Sequence, residues 1–237
     1  MANALVMAGH IRTFREISEE LFVFKEANNL DPYIFIWDEG NKEDIQDVVD
    51  CLSPVSWSCQ RNEEVIQEFL NAESRVHQKN PKQLINPDKV FAMLSMHYAR
   101  RKAFELIQKE YDNVVFTRFD THIFPFQFNE VLKSHPNVVI TPTNEQYGMV
   151  SDIFAIVPWQ YADNYFFYHR AEDILSRRFD DETKRWLLEE KFWWENKERD
   201  VRLHDENRYC PHLMCMRNFF ETNTPYVAID LPVYIKR

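Results

Sequence analysis

Arg118-Phe119-Asp120-Thr121-His122 is the run in this sequence best suited to chemistry. It follows the apolar stretch Val114-Val115-Phe116, which reads as a central strand with a polar end emerging at the sheet edge. In extended chain, residues two apart share a face, so Arg118, Asp120 and His122 are expected to point one way and Phe119 the other. An Asp and a His on one side can bind a divalent metal through oxygen and nitrogen. Such a metal, Mn²⁺ or Mg²⁺, would bridge a nucleotide's diphosphate and neutralise leaving-group charge. The competing reading is an Arg–Asp salt bridge that closes the strand end, with His122 in a turn.

Five further constellations share this character. Gly9-His10-Ile11-Arg12-Thr13 follows the first strand. A glycine there lets backbone approach a ligand, the next helix points its N-terminus at it, and Arg12 supplies a cation for phosphate. The spacing is not that of a dinucleotide-binding glycine motif, and a plain strand-to-helix turn fits equally well. Asp38 follows Trp37 at the end of the second strand and can bind ribose hydroxyls or simply start a loop. Asp152 precedes Ile153-Phe154-Ala155-Ile156, where a carboxylate is seldom placed for solubility. It reads as a general base, as an acceptor for a substrate hydroxyl, or as the cap of a turn. Glu206, in His204-Asp205-Glu206-Asn207, is a second candidate base beside a helix start, where capping by Asp205 or Asn207 competes. Finally, steps of three and four from Val90 put Met93, His97, Arg100 and Phe104 on one stripe. A buried His and Arg need partners or a polar cavity. Either His97 and Arg100 look into a site, with Arg101 as the alternative inward residue, or the core stripe is rotated onto Leu94 and Tyr98.

The elements that must position these residues are readable from periodicity. Ala4 to Ala8 and Pro32 to Trp37 are buried strands flanking a helix over 13–27, whose stripe is Phe14, Ile17, Leu21 and Phe24. Strand, helix, strand with short links predicts a parallel βαβ unit. A short helix over 44–52, a strand over 55–59, a helix over 63–72 and a polar loop over 73–88 follow. Asp88 is the expected N-cap of a helix from Lys89 to Glu110. Strands are expected at 114–119, 138–141, within 148–157 and at 226–234, with helices at 159–177, 180–197 and 207–220.

Composition narrows the class. The 237 residues suit one domain, and that size can bury a core without disulfides or a metal staple. A net charge of −10 argues against nucleic acid as a partner. Aromatic residues make up 15% of the chain, giving either a ring-rich core or an open surface that stacks on sugars. Cys51, Cys59, Cys210 and Cys215 form no CxxC pair and read as ordinary buried thiols. With no signal peptide or apolar run of spanning length, the expectation is a cytoplasmic protein without a membrane span.

In order along the chain, these pieces resemble small GT-A-type glycosyltransferases of bacterial surface-polysaccharide clusters and large DNA viruses, the general kind of the chlorella-virus rhamnosyltransferase domain. The resemblance rests on Gly9-His10-Ile11-Arg12-Thr13, Trp37-Asp38, Met93-Leu94-Ser95-Met96-His97-Tyr98-Ala99, Tyr111-Asp112, Arg118-Phe119-Asp120, Asp152 and Glu206. It implies a single Rossmann-like α/β GT-A domain with a mixed, mostly parallel sheet. Residues of about 1–125 would form the nucleotide-sugar half and about 126–237 the acceptor half. It also implies transfer of a hexose or deoxyhexose from a UDP- or GDP-sugar to a glycan or glycoprotein hydroxyl, host cytoplasm being the setting for a viral member. Gly9, His10, Arg12, Asp38, His97, Arg101 and Arg118 would meet the donor, Asp120 and His122 the metal, and Asp152 or Glu206 the acceptor proton. The chain has Asp120-Thr121-His122 where the family commonly has Asp-x-Asp. Another nucleotide or sugar-phosphate enzyme, such as a nucleotidyltransferase, and a non-catalytic carbohydrate-binding protein are the rival readings.

Overall fold

The computed structural model describes residues 2–79, 87–143, 151–168, 171 and 211–235. Its first half alternates strand and helix: β1 (Asn3–Gly9), α1 (Phe14–Ala27), β2 (Leu30–Trp37), α2 (Lys42–Leu52), β3 (Ser56–Gln60), α3 (Asn62–Lys79) and α4 (Pro87–Phe104). There follow β4 (Asn113–Thr117), β5 (Thr121–Ile123), α5 (Phe128–Ser134), β6 (Val139–Pro142) and β7 (Phe154–Pro158). A 3-10 turn (Trp159–Tyr161), α6 (Ala162–Tyr165), α7 (Pro211–Glu221), β8 (Tyr226–Ile229) and β9 (Val233–Ile235) complete the described chain.

Seven strands form one sheet in the order β3-β2-β1-β4-β7-β6-β8, and β5 pairs with β9 in a separate ribbon. Strands β3, β2, β1 and β4 are mutually parallel, β7 is antiparallel to both β4 and β6, and β8 is parallel to β6. The mixed, mostly parallel α/β sheet expected from the sequence is therefore present. Its central strands are apolar on both faces because helices cover both. Leu5, Met7, Ile34 and Ile36 pack toward the α1 stripe of Phe14, Ile17, Leu21 and Phe24. Val6, Tyr33, Phe35 and Trp37 pack toward α4 through Leu94, Tyr98 and Ala99.

Several elements differ from expectation for local reasons. Helix α3 runs on to Lys79, into the stretch expected to be loop. Helix α4 starts at Pro87, which needs no amide hydrogen in a first turn, so Asp88 lies inside the helix rather than capping it. It ends at Phe104, short of Glu110. The last expected strand is two strands in different sheets, split at Asp230-Leu231-Pro232, since proline cannot donate within a ladder. Helix α5 was not expected, although Phe128, Val131 and Leu132 carry helical spacing and pack on the α1 side of the core. Of the helix expected over 159–177, the described residues show a 3-10 turn and the four-residue α6, and its remainder beyond Tyr168 apart from Ala171, the helix expected over 180–197, the Gly148 strand start, His204, Glu206 and Cys210 lie outside the described residues.

Candidate active site at the strand ends

The strand order creates a switch point. From β1 the chain moves outward to β2 and β3, then returns to place β4 on the other side of β1. Loops leaving β1 and β4 therefore diverge, and the crevice between them is where open α/β sheets receive ligands. Met7 pairs with Thr117, so Gly9 and Arg118 both lie just beyond the last paired rung, on either side of the crevice. Because β7 is antiparallel to β4 and Thr117 pairs with Phe154, Asp152 enters at the same edge.

Arg118 is the hub of this edge. Its Nε donates to Asp120 Oδ1 at 2.9 Å and its Nη2 to Oδ2 at 2.5 Å, a two-pronged pair across two residues. Its Nη1 lies 3.9 Å from Asp152 Oδ2. The salt bridge weighed from sequence is thus formed, and Arg118 stays 30% exposed at the crevice. Asp152 is buried, and Ser151 Oγ accepts from the Ile153 amide to hold the turn into β7.

The first two strands contribute a second charged group. His10 Nδ1 lies 2.8 Å from Glu39 Oε1, and Arg12 Nη2 is 3.5 Å from the same oxygen. Burial lowers the His10 pKa, Glu39 opposes this, and the nearby Arg12 and Arg118 charges add to the lowering. Asp38 Oδ1 accepts from the Gly40 amide at 2.7 Å, the turn-starting role weighed above, while Oδ2 remains 3.8 Å from Arg61 Nε. The edge thus gathers Arg12, Arg61 and Arg118 with their carboxylates.

Gly9 has φ +125°, a conformation that side-chain-bearing residues rarely adopt, yet a Cβ there would meet nothing within 4 Å. Strain without a clash predicts that Gly9→Ala lowers stability by about 1–3 kcal/mol. Denaturant unfolding would measure this; an unchanged midpoint would mean that the turn relaxes at no cost.

Helix α4 buries both stripes that the sequence offered. His97 is buried with its ring on Phe167, 4.8 Å between centroids, while Leu94 and Tyr98 are buried as well. The inward arginine is Arg100, 1% exposed. It donates to the Tyr165 carbonyl at 3.2 Å and to Cys215 Sγ at 3.5 Å, and sits over the Tyr165 and Phe116 rings at 4.1 and 4.7 Å. Burial works against its charge, Tyr165, Cys215 and Asp152 favour it, and the balance lies upward. Arg101, the residue assigned to the donor from sequence, instead bonds Glu105, Asp163 and the Phe166 carbonyl.

His122 departs furthest from the pattern expected of it. Strand β4 stops at Thr117 and β5 starts a new ribbon at Thr121, so the alternation that would align His122 with Asp120 is interrupted. His122 Nδ1 lies 2.9 Å from Glu20 Oε2 on α1, and its ring stacks on Tyr234. The described donors do not fit a divalent metal. Asp120 commits both oxygens to Arg118, His122 turns to Glu20, and among the described residues no group of three His, Cys, Asp or Glu could hold an ion.

No family model matches the chain, and no curated protein matches it in sequence. Among solved structures it is similar to galactosyltransferase LgtC in complex with donor and acceptor sugar analogs, at 9% identity and TM-score 0.42, over 95% of this chain and 73% of that one. It is also similar to mouse xyloside xylosyltransferase 1, at 9% identity and TM-score 0.40, over 97% of this chain and 85% of that one. A third is the bifunctional glycosyltransferase WbbM, at 14% identity and TM-score 0.36, over 95% of this chain and 38% of that one. Among the described residues no helix is long and apolar enough to cross a membrane.

Proposed function

We propose that this chain is a glycosyltransferase that binds a nucleoside-diphosphate sugar across the β1–β4 crevice and transfers the sugar to a glycan hydroxyl. The observation that carries this reading is Arg118, a half-buried guanidinium at the switch point held between Asp120 and Asp152. A guanidinium fork matches the oxygens of a diphosphate, and Arg12 and Arg61 add positive charge along the same edge. The Gly9 turn brings backbone close to the ligand without a side chain between them.

In the reaction the acceptor oxygen bonds to the anomeric carbon as the bond from that carbon to the diphosphate oxygen breaks. The electron pair leaves with the diphosphate, where Arg118 and Arg12 stabilise it electrostatically. Asp38, with one oxygen in the Gly40 turn, offers the other to ribose hydroxyls. Asp152 takes the proton of the acceptor hydroxyl as that oxygen bonds to the anomeric carbon, the general-base role weighed from the sequence. Asp120 holds the Arg118 fork in plane, a positioning role. His97 and Arg101 take no direct part, and Glu206, the other candidate for the acceptor proton, is outside the described residues.

The test is a panel of UDP- and GDP-sugars with release of nucleoside diphosphate as the readout. Asp152→Asn keeps the shape but cannot take the proton, and lowers kcat/KM on the order of a hundredfold with nucleotide affinity retained. Release of pyrophosphate would point to a nucleotidyltransferase, and an unaltered kcat/KM would remove Asp152 from the reaction.

A further inference from the structure

A second recessed surface lies where β5 and the residues after it meet α1. A cavity of about 430 Å³ opens between α1 and residues 123–129, within the size range of small-molecule sites. Its floor is apolar, with Phe24, Phe126 and Phe128 in mutual ring contact at 5.8 to 6.3 Å. Among the described residues its rim is polar and has no Lys, Arg or His: the charged and amide groups are Glu19, Glu20, Asn28, Gln127 and Asn129. Glu20 links this cavity to a patch of exposed rings. It pairs with His122, which stands opposite Tyr234 in the ribbon and stacks on it at 4.8 Å. Phe124 lies 5.4 Å from Tyr234, and the two rings are 41% and 47% exposed.

Exposed rings beside carboxylates and amides suit one ligand chemistry better than others. A pyranose offers an apolar face of C–H groups to an aromatic ring, and hydroxyls around its edge to carboxylate and amide groups. The rim's two carboxylates disfavour anionic lipid, nucleotide and acidic glycan. The crevice differs in holding guanidinium groups, Arg12, Arg61 and Arg118, beside its carboxylates, which this rim lacks. We propose that the α1–β5 cavity and the adjoining Phe124–Tyr234 rings form a binding site for a neutral saccharide chain, separate from the strand-end crevice. The ribbon leaves Asp120 directly, so a glycan held there is tethered beside the crevice. Binding at this site does not depend on the nucleotide-sugar reading.

The experiment uses the full chain on an array bearing neutral, amine-bearing and acidic oligosaccharides, with the double variant Phe124→Ala, Tyr234→Ala in parallel. Both positions are exposed, so the thermal midpoint should hold. The expected result is retention of neutral oligosaccharides by the wild type, reduced at least about tenfold in the variant, as expected where a stacking contact is lost. Glu20→Gln, which keeps a hydrogen-bonding group without the charge, retains neutral glycans. No retention of neutral glycans, retention confined to acidic or amine-bearing ones, or equal retention by the double variant would each overturn the proposal. Titration of the same proteins with UDP and GDP reports on the crevice, so failure of either reading is seen separately.

Discussion

Arg118→Met weakens binding of the nucleoside diphosphate at least about thirtyfold while the thermal midpoint stays close to that of the wild type. The binding loss follows from geometry. A guanidinium at the switch point serves the diphosphate, and removing one partner of a hydrogen-bonded charge pair costs about 2–5 kcal/mol, about 1.4 kcal/mol being tenfold in affinity. Partial exposure of Arg118 favours the lower end of that range. The small effect on folding follows from the same exposure, because ion pairs open to solvent contribute about 0–1 kcal/mol. Arg118→Lys keeps the charge but loses the fork, and should fall between the two. Titration calorimetry beside a thermal melt checks this. Equal affinity in Arg118→Met would remove the residue from the binding surface.

Arg100→Ala should have the reverse profile, a large loss of stability with its origin far from solvent. The guanidinium is enclosed by Phe116, Tyr165 and Phe166 and donates to the Tyr165 carbonyl and the Cys215 thiol. Its truncation leaves a cavity, strips a cation from the rings, and takes from Asp152 a nearby positive charge. Losses of this kind amount to about 3–5 kcal/mol. At about 2–4 °C per kcal/mol for a domain of this size, the melting midpoint falls by roughly 6–20 °C. Scanning calorimetry measures it. A change below about 1 kcal/mol would show that the ring cage collapses around the smaller side chain.

Much of the frame was legible because its signals are local. The α1 stripe of Phe14, Ile17, Leu21 and Phe24 is the set buried in the structure. The apolar runs of β1, β2 and β4 became the parallel centre of the sheet. Gly9, Asp38, Arg118 and Asp152 fell at one edge because sequence patterning locates strand ends, and the strand order then brings those ends together. What stayed hidden depends on contacts between distant residues. Glu20 lies off the α1 stripe, and only the folded chain puts it against His122. The choice between Arg100 and Arg101 turned on rotation of a helix buried on both candidate stripes, which periodicity could not decide. The kink after Thr117 was invisible to an alternation rule that assumes continuous strand. By contrast, Pro232 and the helical spacing of Phe128, Val131 and Leu132 are local signals that the sequence does carry.

Nucleotide binding in the β1–β4 crevice is the property on which the proposed activity depends. Isothermal titration of the wild-type chain with UDP and with GDP, each in chelator and again in Mn²⁺, tests it most directly. The expected result is saturable binding of at least one of them in chelator, lost in Arg118→Met. Absence of heat from both nucleotides in both buffers, with the protein folded, would contradict it.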